Sequence, residues 1–466
     1  MKKNLCIFNA RLVDKVLDCK GLVVISEGKI LSVMQGNFNQ EQASKIAVDI
    51  CNEKEENIDF FDACGLVLQP SFIDMHAHFR YPGQSAKEDL NSGLNSAVAG
   101  GFGTLILMPN TQPVVSSLQD ATQICKEVES YGLADVYQTV SLTKGFDGKD
   151  TGHLDELKIY SSGASALDGY IPVVTEDGRD VASADIMLEA MKKCASKNII
   201  VSCHSEDPTL AVSAGGYRRR GLEQLASKDN EAAYISFEKA NELLVLAEDI
   251  ATERNINLAN AAKCAVHIAH VSTVGSINAV RRAKNAGQRV TCEVTPHHLG
   301  LSVQAGDPNL RHLVNPPLRS ENDRQELIKA LCDGTADVIA TDHAPHTSED
   351  KANGAPGFSG LETAFAVCNT ELVKSGLMSA SKLSELMSAN PAKIMGLDKG
   401  DSPKGRILPG FVADLVLCDM GKPWIVMGCE FRSKGKYTPL DGKTLHGKVL
   451  KVFHRGECVF TDSFPM

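Results

Sequence analysis

The middle of the chain alternates apolar, strand-like runs with helical stretches, and this alternation constrains the fold more than any other feature. Helical candidates such as residues 185–193 and 242–252 separate the runs. Apolar strands separated by helices are typical of a parallel sheet covered on both faces. We therefore predict an α/β fold with a (β/α)8 TIM-type barrel over residues 71–395, and an open doubly wound sheet is the alternative. The clearest runs are residues 103–108, 199–203, 265–269, 289–294 and 337–340.

The two ends of the chain share a different pattern, in which short strands alternate with turns. Residues 22–26 are followed by a turn at Glu27 and Gly28, and residues 413–417 and 447–453 also have the pattern of strands. We therefore predict that residues 1–70 and 396–466 form one small β-sandwich.

Composition excludes several classes of function. The formal net charge is -10 and the sequence pI is about 5.8, without a long basic block, so a nucleic-acid groove or an anionic membrane surface is disfavoured. No apolar run reaches the ~18 residues of a membrane-spanning helix. The 14 cysteines include no CxxC pair, which favours free thiols and the cytoplasm.

Histidine and aspartate side chains follow the ends of the strand-like runs. We read residues 66–70 as the strand that leads to His76 and His78, whose spacing places both imidazoles on one face. Either Asp177 or Glu176 could supply a carboxylate shared by two metal ions. Neutral imidazoles and carboxylates suit zinc. The predicted two-metal hydrolase site consists of His76, His78, Asp177, His204, His270 and Asp342.

Polar residues near these ligands indicate the kind of substrate. Arg80 lies two residues after His78, where its guanidinium is expected to bind a carboxylate with paired hydrogen bonds. Asn110 and Asn315 add side-chain amides at two further strand ends. These residues predict a small anionic substrate with amide or imide character.

Several motifs together resemble the cyclic amidohydrolase family, and within it the dihydroorotases of the longer, bacterial type. The resemblance covers nearly the whole chain, and its more specific stretches are residues 293–299 and 341–346. The other matching stretches are residues 74–80, 108–111, 175–178, 204–207, 270–273, 315–319, 360–363, 390–393 and 405–417.

The resemblance implies reversible, zinc-dependent hydrolysis of L-dihydroorotate to N-carbamoyl-L-aspartate, a step of pyrimidine synthesis. It implies two zinc ions per chain: one held by His76 and His78, the other by His204 and His270. Asp177 would bridge the two ions, and Asp342 would bind the first ion and act as catalytic general acid and base. The residues implied to bind substrate are Arg80, Asn110, Asn315 and His346.

The resemblance leaves alternatives open. Another cyclic-amide hydrolase (an allantoinase, a hydantoinase or a dihydropyrimidinase) is the nearest rival, and a non-catalytic scaffold of the same fold is another. The chain departs from the pattern at Glu176, where an aspartate is usual, and at Tyr437, where an asparagine is usual. A homodimer and an aspartate transcarbamoylase partner are the protein partners that the resemblance suggests.

Overall fold

The structure is a computed structural model that describes residues 4–462. Its strands are β1 (Asn4–Val13), β2 (Asp18–Ser26), β3 (Lys29–Gln35), β4 (Ile58–Asp62), β5 (Val67–Pro70), β6 (Phe72–Ala77), β7 (Phe102–Leu107), β8 (Asp135–Gln138), β9 (Val140–Ser141), β10 (Val173–Thr175), β11 (Ile200–Cys203), β12 (Val266–Ile268), β13 (Val290–Val294), β14 (Val338–Ile339), β15 (Leu415–Ile425), β16 (Thr444–His454) and β17 (Glu457–Thr461).

Helices lie mainly between the strands of the middle part. They are α1 (Gln40–Cys51), α2 (Leu90–Ala99), α3 (Leu118–Glu129), α4 (Ala184–Ser196), α5 (Pro208–Ala226), α6 (Asn230–Ala262), α7 (Val274–Asn285), α8 (Pro296–Gly300), α9 (Glu321–Asp333), α10 (Ser348–Ala352), α11 (Leu361–Cys368), α12 (Ala380–Ser384) and α13 (Asn390–Ile394).

Strands from both ends of the chain form one eight-stranded sheet. Its order is β17-β16-β15-β5-β1-β2-β3, and β4 pairs with the edge of β1. Successive side chains of β1 point to opposite faces, so Ile7 joins one apolar cluster while Cys6 and Phe8 join another beneath α1. Strands from the two ends of the chain are therefore hydrogen-bonded into one continuous sheet and do not form a separate sheet at each end.

The middle of the chain forms two parallel sheets. Strands β6 to β8 make a three-stranded sheet, and β9 to β14 make a six-stranded one. Ala77 forms a bridge with His343, and the His78 N–H donates to the His343 carbonyl at 2.8 Å, which connects β6 to the segment after β14. Because the strands are parallel, their carboxyl ends lie at one edge, where the site residues are found.

The predicted strand before His76 is in fact two strands. β5 pairs with β1 and β15 in the terminal sheet, whereas β6 pairs with β7 in the parallel sheet. The chain crosses between the sheets at Ser71, whose N–H donates to the Asp414 carbonyl at 2.9 Å. Residues 66–70 do contain a strand, β5, as predicted, but a second strand, β6, leads to the histidines.

A long helical hairpin, α5 and α6, separates β11 from β12. Asp207 caps α5 by accepting from the N–H groups of Thr209 and Leu210. Where the hairpin turns, Leu222 and Leu225 pack on a cluster containing Phe237 and Leu313. The hairpin therefore lies against the segment before Asn315, close to the carboxyl edge of the strands.

Two further observations concern the whole of the described chain. Within residues 4–462, no helix combines the length and apolar character needed to cross a membrane. All 14 cysteines are free thiols.

Candidate metal centre and active site

The six predicted ligands lie together and are all buried. His76 is in β6 and His78 follows it, while Asp177, His204, His270 and Asp342 lie one to three residues beyond the ends of β10, β11, β12 and β14. Each ligand comes from the carboxyl end of a parallel strand, so residues far apart in sequence meet at one edge of the sheets.

Asp177 lies at the centre of the cluster. One carboxylate oxygen, Oδ1, is 3.2 Å from His76 Nε2, 3.5 Å from His204 Nδ1 and 3.9 Å from His270 Nε2. The other oxygen, Oδ2, is 3.5 Å from His78 Nε2. Asp177 therefore faces both pairs of histidines, His76 with His78 and His204 with His270.

Asp342 lies on the His76 and His78 side of the cluster. Its Oδ1 is 3.2 Å from His78 Nε2 and 3.7 Å from His76 Nε2. On the other side, His204 Nδ1 and His270 Nε2 are 2.8 Å apart. The histidine nitrogens thus divide into two pairs, one from His76 and His78 and one from His204 and His270. The Asp177 carboxylate lies between the pairs, and the Asp342 carboxylate lies beside the first.

Three site residues have left-handed backbone conformations that side-chain-bearing residues seldom adopt. The φ angles are +56° at Arg80, +32° at His270 and +47° at Asp342. Such conformations cost on the order of 1–3 kcal/mol each and persist where the surrounding structure enforces them. The fold therefore holds these three side chains in place at a cost to its own stability.

Opposite charges shift the protonation of the central residues. Burial disfavours the charged form of His76, but Asp177 and Glu293 outweigh it and hold its pKa well above the ordinary value. Burial likewise opposes ionisation of Asp177, yet His76 and His204 keep its pKa well below the usual range. The pKa of Asp342 is also lowered, because His78 and His76 outweigh its burial. Both carboxyl groups are thus ionised at neutral pH.

Hydrogen bonds to Nδ1 fix how the first two imidazoles present Nε2. His76 Nδ1 lies 2.8 Å from Glu293 Oε1, and His78 Nδ1 lies 2.9 Å from Asn110 Oδ1. A carboxylate or carbonyl oxygen only accepts, so Nδ1 carries a hydrogen, and Nε2 is the ring nitrogen that would bind a metal in the neutral imidazole. Asn110 also donates to Asp177 Oδ2 at 3.1 Å.

Glu293 was missed as a functional residue by the sequence analysis. Besides His76, its carboxylate accepts from the His270 N–H at 3.2 Å and contacts His267 Nε2 at 3.1 Å. His267 in turn contacts Thr291 Oγ1 at 2.8 Å and is buried, so both of its ring nitrogens have partners away from the predicted ligands. The available signal was the position of Glu293 at the end of β13, in a stretch specific to the resembled family.

Glu176, the other candidate for the shared carboxylate, points away from the cluster. It accepts from the Thr143 N–H at 2.9 Å and from the Thr143 hydroxyl. Burial raises its pKa to about 7 in spite of these hydrogen bonds. The geometry therefore places Asp177, and not Glu176, among the histidines.

The donor set fits a bound metal ion. His76 Nε2 and Asp177 Oδ1 are buried and have no hydrogen-bond partner among the described residues. Ligand atoms of His76, His78 and Asp342 lie within 4.8 Å of one another, as do those of His76, Asp177 and His270. Buried atoms without partners are costly unless a bound cation satisfies them.

The predicted substrate-binding residues line a cavity of about 210 Å³ over the ligands. Arg80, Asn110, Asn315 and His346 all contribute to its wall. Arg80 Nη2 lies 3.2 Å from His346 Nε2, and its Nε donates to the Pro345 carbonyl at 3.2 Å. The small volume suits a small molecule better than a drug-sized ligand.

Arg218 of α5 orients Asn315 and was also missed from the sequence. Its guanidinium donates to Asn315 Oδ1 and, at 3.0 Å, to the Val314 carbonyl. Because the amide oxygen is engaged there, the amide NH₂ of Asn315 remains as the donor.

Comparison with known proteins identifies the family. The profile of the amidohydrolase family matches residues 67–459. The chain belongs to the amidohydrolase family. Among curated relatives, the dihydroorotase of Clostridium botulinum is 38% identical over 453 residues, covering 97% of this chain and 98% of the relative. The dihydroorotase of Geobacter sp. is 36% identical over 468 residues, covering 98% and 99%.

Solved structures of this family share the fold. The L-hydantoinase (dihydropyrimidinase) of Arthrobacter aurescens superposes with a TM-score of 0.79 at 23% identity, over 100% of this chain and 98% of that one. The dihydropyrimidinase of Brevibacillus agri gives 0.77 at 20% identity, over 98% and 95%. At such identities the likeness concerns the fold, and this amidohydrolase's substrate has to be argued from its own residues.

Proposed function

We propose that this amidohydrolase is a dihydroorotase, which reversibly hydrolyses L-dihydroorotate to N-carbamoyl-L-aspartate in pyrimidine synthesis. The observation that carries the proposal is Arg80, placed against His346 in the wall of a small cavity above six converging ligands. A guanidinium there binds the carboxylate that distinguishes dihydroorotate from the neutral ring amides. The names of the relatives, which are 36–38% identical, support the same substrate.

The proposed metal centre holds two zinc ions. His76, His78 and Asp342 would hold one, His204 and His270 the other, and Asp177 would bridge them; the distances around Asp177 support this division. Zinc bound there would supply Lewis acidity toward a carbonyl oxygen and would acidify water.

The chain's own residues would bind the substrate and move its proton. Arg80 and His346 bind the ring carboxylate, and Asn315 donates its amide hydrogens because Arg218 occupies its oxygen. Asn110 lines the same wall while holding His78 and Asp177. Asp342, ionised at neutral pH, takes the proton from the attacking water and returns it to the ring nitrogen as the C–N bond breaks.

Other parts of the proposal concern architecture and setting. We propose that β6 to β14 close into an eight-stranded barrel, with β8 and β9 acting as one interrupted strand; the bridge between Ala77 and His343 supports closure. We place the enzyme in the cytoplasm, which its free thiols support. The homodimer and the transcarbamoylase partner stay predictions.

The test is turnover by the purified, zinc-loaded protein. We expect hydrolysis of L-dihydroorotate in clear preference to dihydrouracil, a hydantoin and allantoin, each assayed at equal concentration. Arg80→Met should remove that preference, because it removes the group that binds the carboxylate. No turnover of dihydroorotate by protein with a full zinc complement would refute the proposal, and turnover of a neutral ring amide instead would reassign the substrate.

A further inference from the structure

A larger basic cavity lies beside the active-site cavity. It has a volume of about 680 Å³ and shares His346 with the active-site cavity. None of the described residues that line it is an aspartate or glutamate. Its basic lining residues are Arg311, His312, His346, Lys351, Lys434 and Lys436. The chain as a whole carries a formal charge of -10, so the sign of charge in this cavity is opposite to that of the molecule.

Most of the positive charge in the basic cavity is not neutralised by carboxylates. Lys434 pairs with Asp89. Lys436 donates to the Phe431 carbonyl, and Lys351 donates to carbonyls within the described chain, including that of Gly357 at 2.8 Å. Carbonyl groups are neutral, so these contacts do not neutralise the positive charge that Lys351 and Lys436 carry, and the exposed Arg311 adds another.

Two partly buried groups of the cavity have lowered pKa values. Burial lowers the pKa of His312 to about 4, and Arg311 and Lys351 lower it in the same direction. Burial also lowers the pKa of Lys351 to about 8, with a further contribution from Arg218. Tyr437, where the chain departs from the family pattern, packs under Lys351, whose Nζ lies 4.7 Å from the ring centroid.

The basic cavity and the active site share a wall. Lys351 donates to the carbonyls of Ala355 at 2.7 Å and of Gly357, and Pro356 and Gly357 line the active-site cavity. His346, the other shared element, lies 3.2 Å from Arg80. An anion held by the basic cavity is thus one side chain away from the guanidinium of the active site.

We propose that the basic cavity is the vestibule that collects the anionic reactant for the active site. The proposal rests on the proposed function, because it requires a carboxylate-bearing substrate. A cleft lined by one sign of charge raises the local concentration of oppositely charged ligand and its association rate. Without the vestibule, the net negative charge of the protein would repel that ligand.

The charge of both reactants makes this inference specific. Dihydroorotate carries one carboxylate and N-carbamoyl-L-aspartate carries two, so a basic vestibule attracts the reactant of either direction. Because the equilibrium constant fixes the ratio of kcat/KM in the two directions, loss of cavity charge should reduce kcat/KM by the same factor for both. It should leave kcat unchanged, because the bound complex is the same.

The test compares matched double variants at low salt. In Arg311→Gln/Lys436→Gln we expect kcat/KM for N-carbamoyl-L-aspartate to fall about 3- to 10-fold, within the range of electrostatic steering. The fall for dihydroorotate should be equal, and both should vanish near 1 M salt, where the Debye length is only ~3 Å. Arg311→Lys/Lys436→Arg keeps the charge and should behave as wild type.

The control removes the same charge elsewhere. Lys15→Gln/Lys20→Gln changes two exposed lysines at the terminal sheet and should leave kcat/KM unchanged. An equal loss in this control, an unchanged kcat/KM in the cavity variant, or a loss confined to kcat would overturn the vestibule. Absence of dihydroorotate turnover by wild-type protein would instead refute the proposed function, so the two failures are distinguishable.

Discussion

At Asp342, the backbone and the side chain impose separate requirements. The backbone has a φ of +47°, a region that aspartate and asparagine tolerate better than most residues. The Asp342 carboxylate, which is the group proposed to transfer the proton, lies 3.2 Å from His78 Nε2. A substitution that tests the proton transfer must therefore preserve the backbone, and asparagine does so.

We predict that Asp342→Asn lowers kcat by about 10²- to 10⁴-fold, the usual contribution of a positioned acid–base group. The thermal unfolding midpoint should stay close to that of wild type, because asparagine accepts the same φ. Steady-state kinetics and a melting curve check both parts. Activity within tenfold of wild type, with zinc bound, would show that another group moves the proton.

Glu293 holds one ligand of each histidine pair, through the side chain of His76 and the backbone of His270. We predict that Glu293→Gln lowers zinc affinity about 10- to 100-fold, as loss of a hydrogen-bond partner to a metal-binding histidine does. The amide has one accepting end, so it cannot accept from both His76 and His267. Competition with a chromogenic chelator measures the affinity.

Glu176→Gln is the matched control for this measurement. Glu176 is also a buried glutamate next to the site, but it accepts from Thr143 and points away from the histidines. Its variant should retain zinc as wild type does. Equal zinc loss in both variants would mean that any buried change there disturbs the site.

The clustering of the six predicted ligands could be foreseen from the sequence, whereas the residues that orient them could not. Each ligand follows a strand-like run, and the parallel topology brings the run ends together. Glu293 and His76 are 217 residues apart, and Arg218 and Asn315 are 97 apart. No local pattern encodes such pairs, since they depend on how the elements pack in three dimensions.

At the scale of elements, the α5–α6 hairpin brings a cation to the active site. Arg218 of α5 is mostly buried, and burial lowers its pKa to about 10. Its guanidinium still donates hydrogen bonds to Asn315 Oδ1 and to the Val314 carbonyl. The hairpin therefore fixes which end of the Asn315 amide faces the substrate.

We predict that Arg218→Met raises KM for dihydroorotate about tenfold, with a smaller change in kcat. Hydrogen bonds to a charged group contribute about 1.5–3 kcal/mol, and a freed amide can turn its oxygen toward the anionic substrate. Arg218→Lys should recover part of the loss, because one donor can still reach Asn315. Initial-rate kinetics separate KM from kcat; an unchanged KM would show that Asn315 is held by other contacts.

Element boundaries were predicted well where one sheet was involved. The five apolar runs agree with β7, β11, β12, β13 and β14 to within one residue at each end. The run at residues 66–70 was correctly predicted as a strand, but the following strand, β6, was not distinguished from it, because β5 and β6 are separated only by Ser71. Both strands are fully buried, so their hydrophobicity does not reveal that they belong to different sheets.

At the scale of the molecule, a buried cluster joins the terminal sheet to the parallel sheet. Lys404 Nζ lies 2.6 Å from Asp135 at the start of β8 and also pairs with Asp414 before β15. Burial alone would raise the pKa of both carboxyl groups, but Lys404 outweighs it and holds the pKa of each below its ordinary value. The division of the chain at residues 70 and 395 stays a prediction, but this cluster shows what couples the sheets.

We predict that Lys404→Met lowers the free energy of unfolding by about 3–5 kcal/mol at pH 7, because it removes the buried cation that contacts both carboxylates and leaves them to Arg455 and His454. Denaturant titration followed by circular dichroism measures the change. Lys382→Met is the control: Lys382 forms a partly exposed pair with Glu385, and such pairs contribute about 1 kcal/mol or less.

The pH dependence of that difference follows from the direction of the pKa shifts. Asp135 and Asp414 have depressed pKa values in the folded protein, so Lys404 stabilises it fully above their unfolded pKa of about 3.9. That stabilisation is lost as pH falls through the lower folded values. The gap between wild type and Lys404→Met should therefore be constant from about pH 7 to 5 and shrink below about pH 4. A gap that widens in acid would mean that Lys404 acts through something other than these two carboxylates.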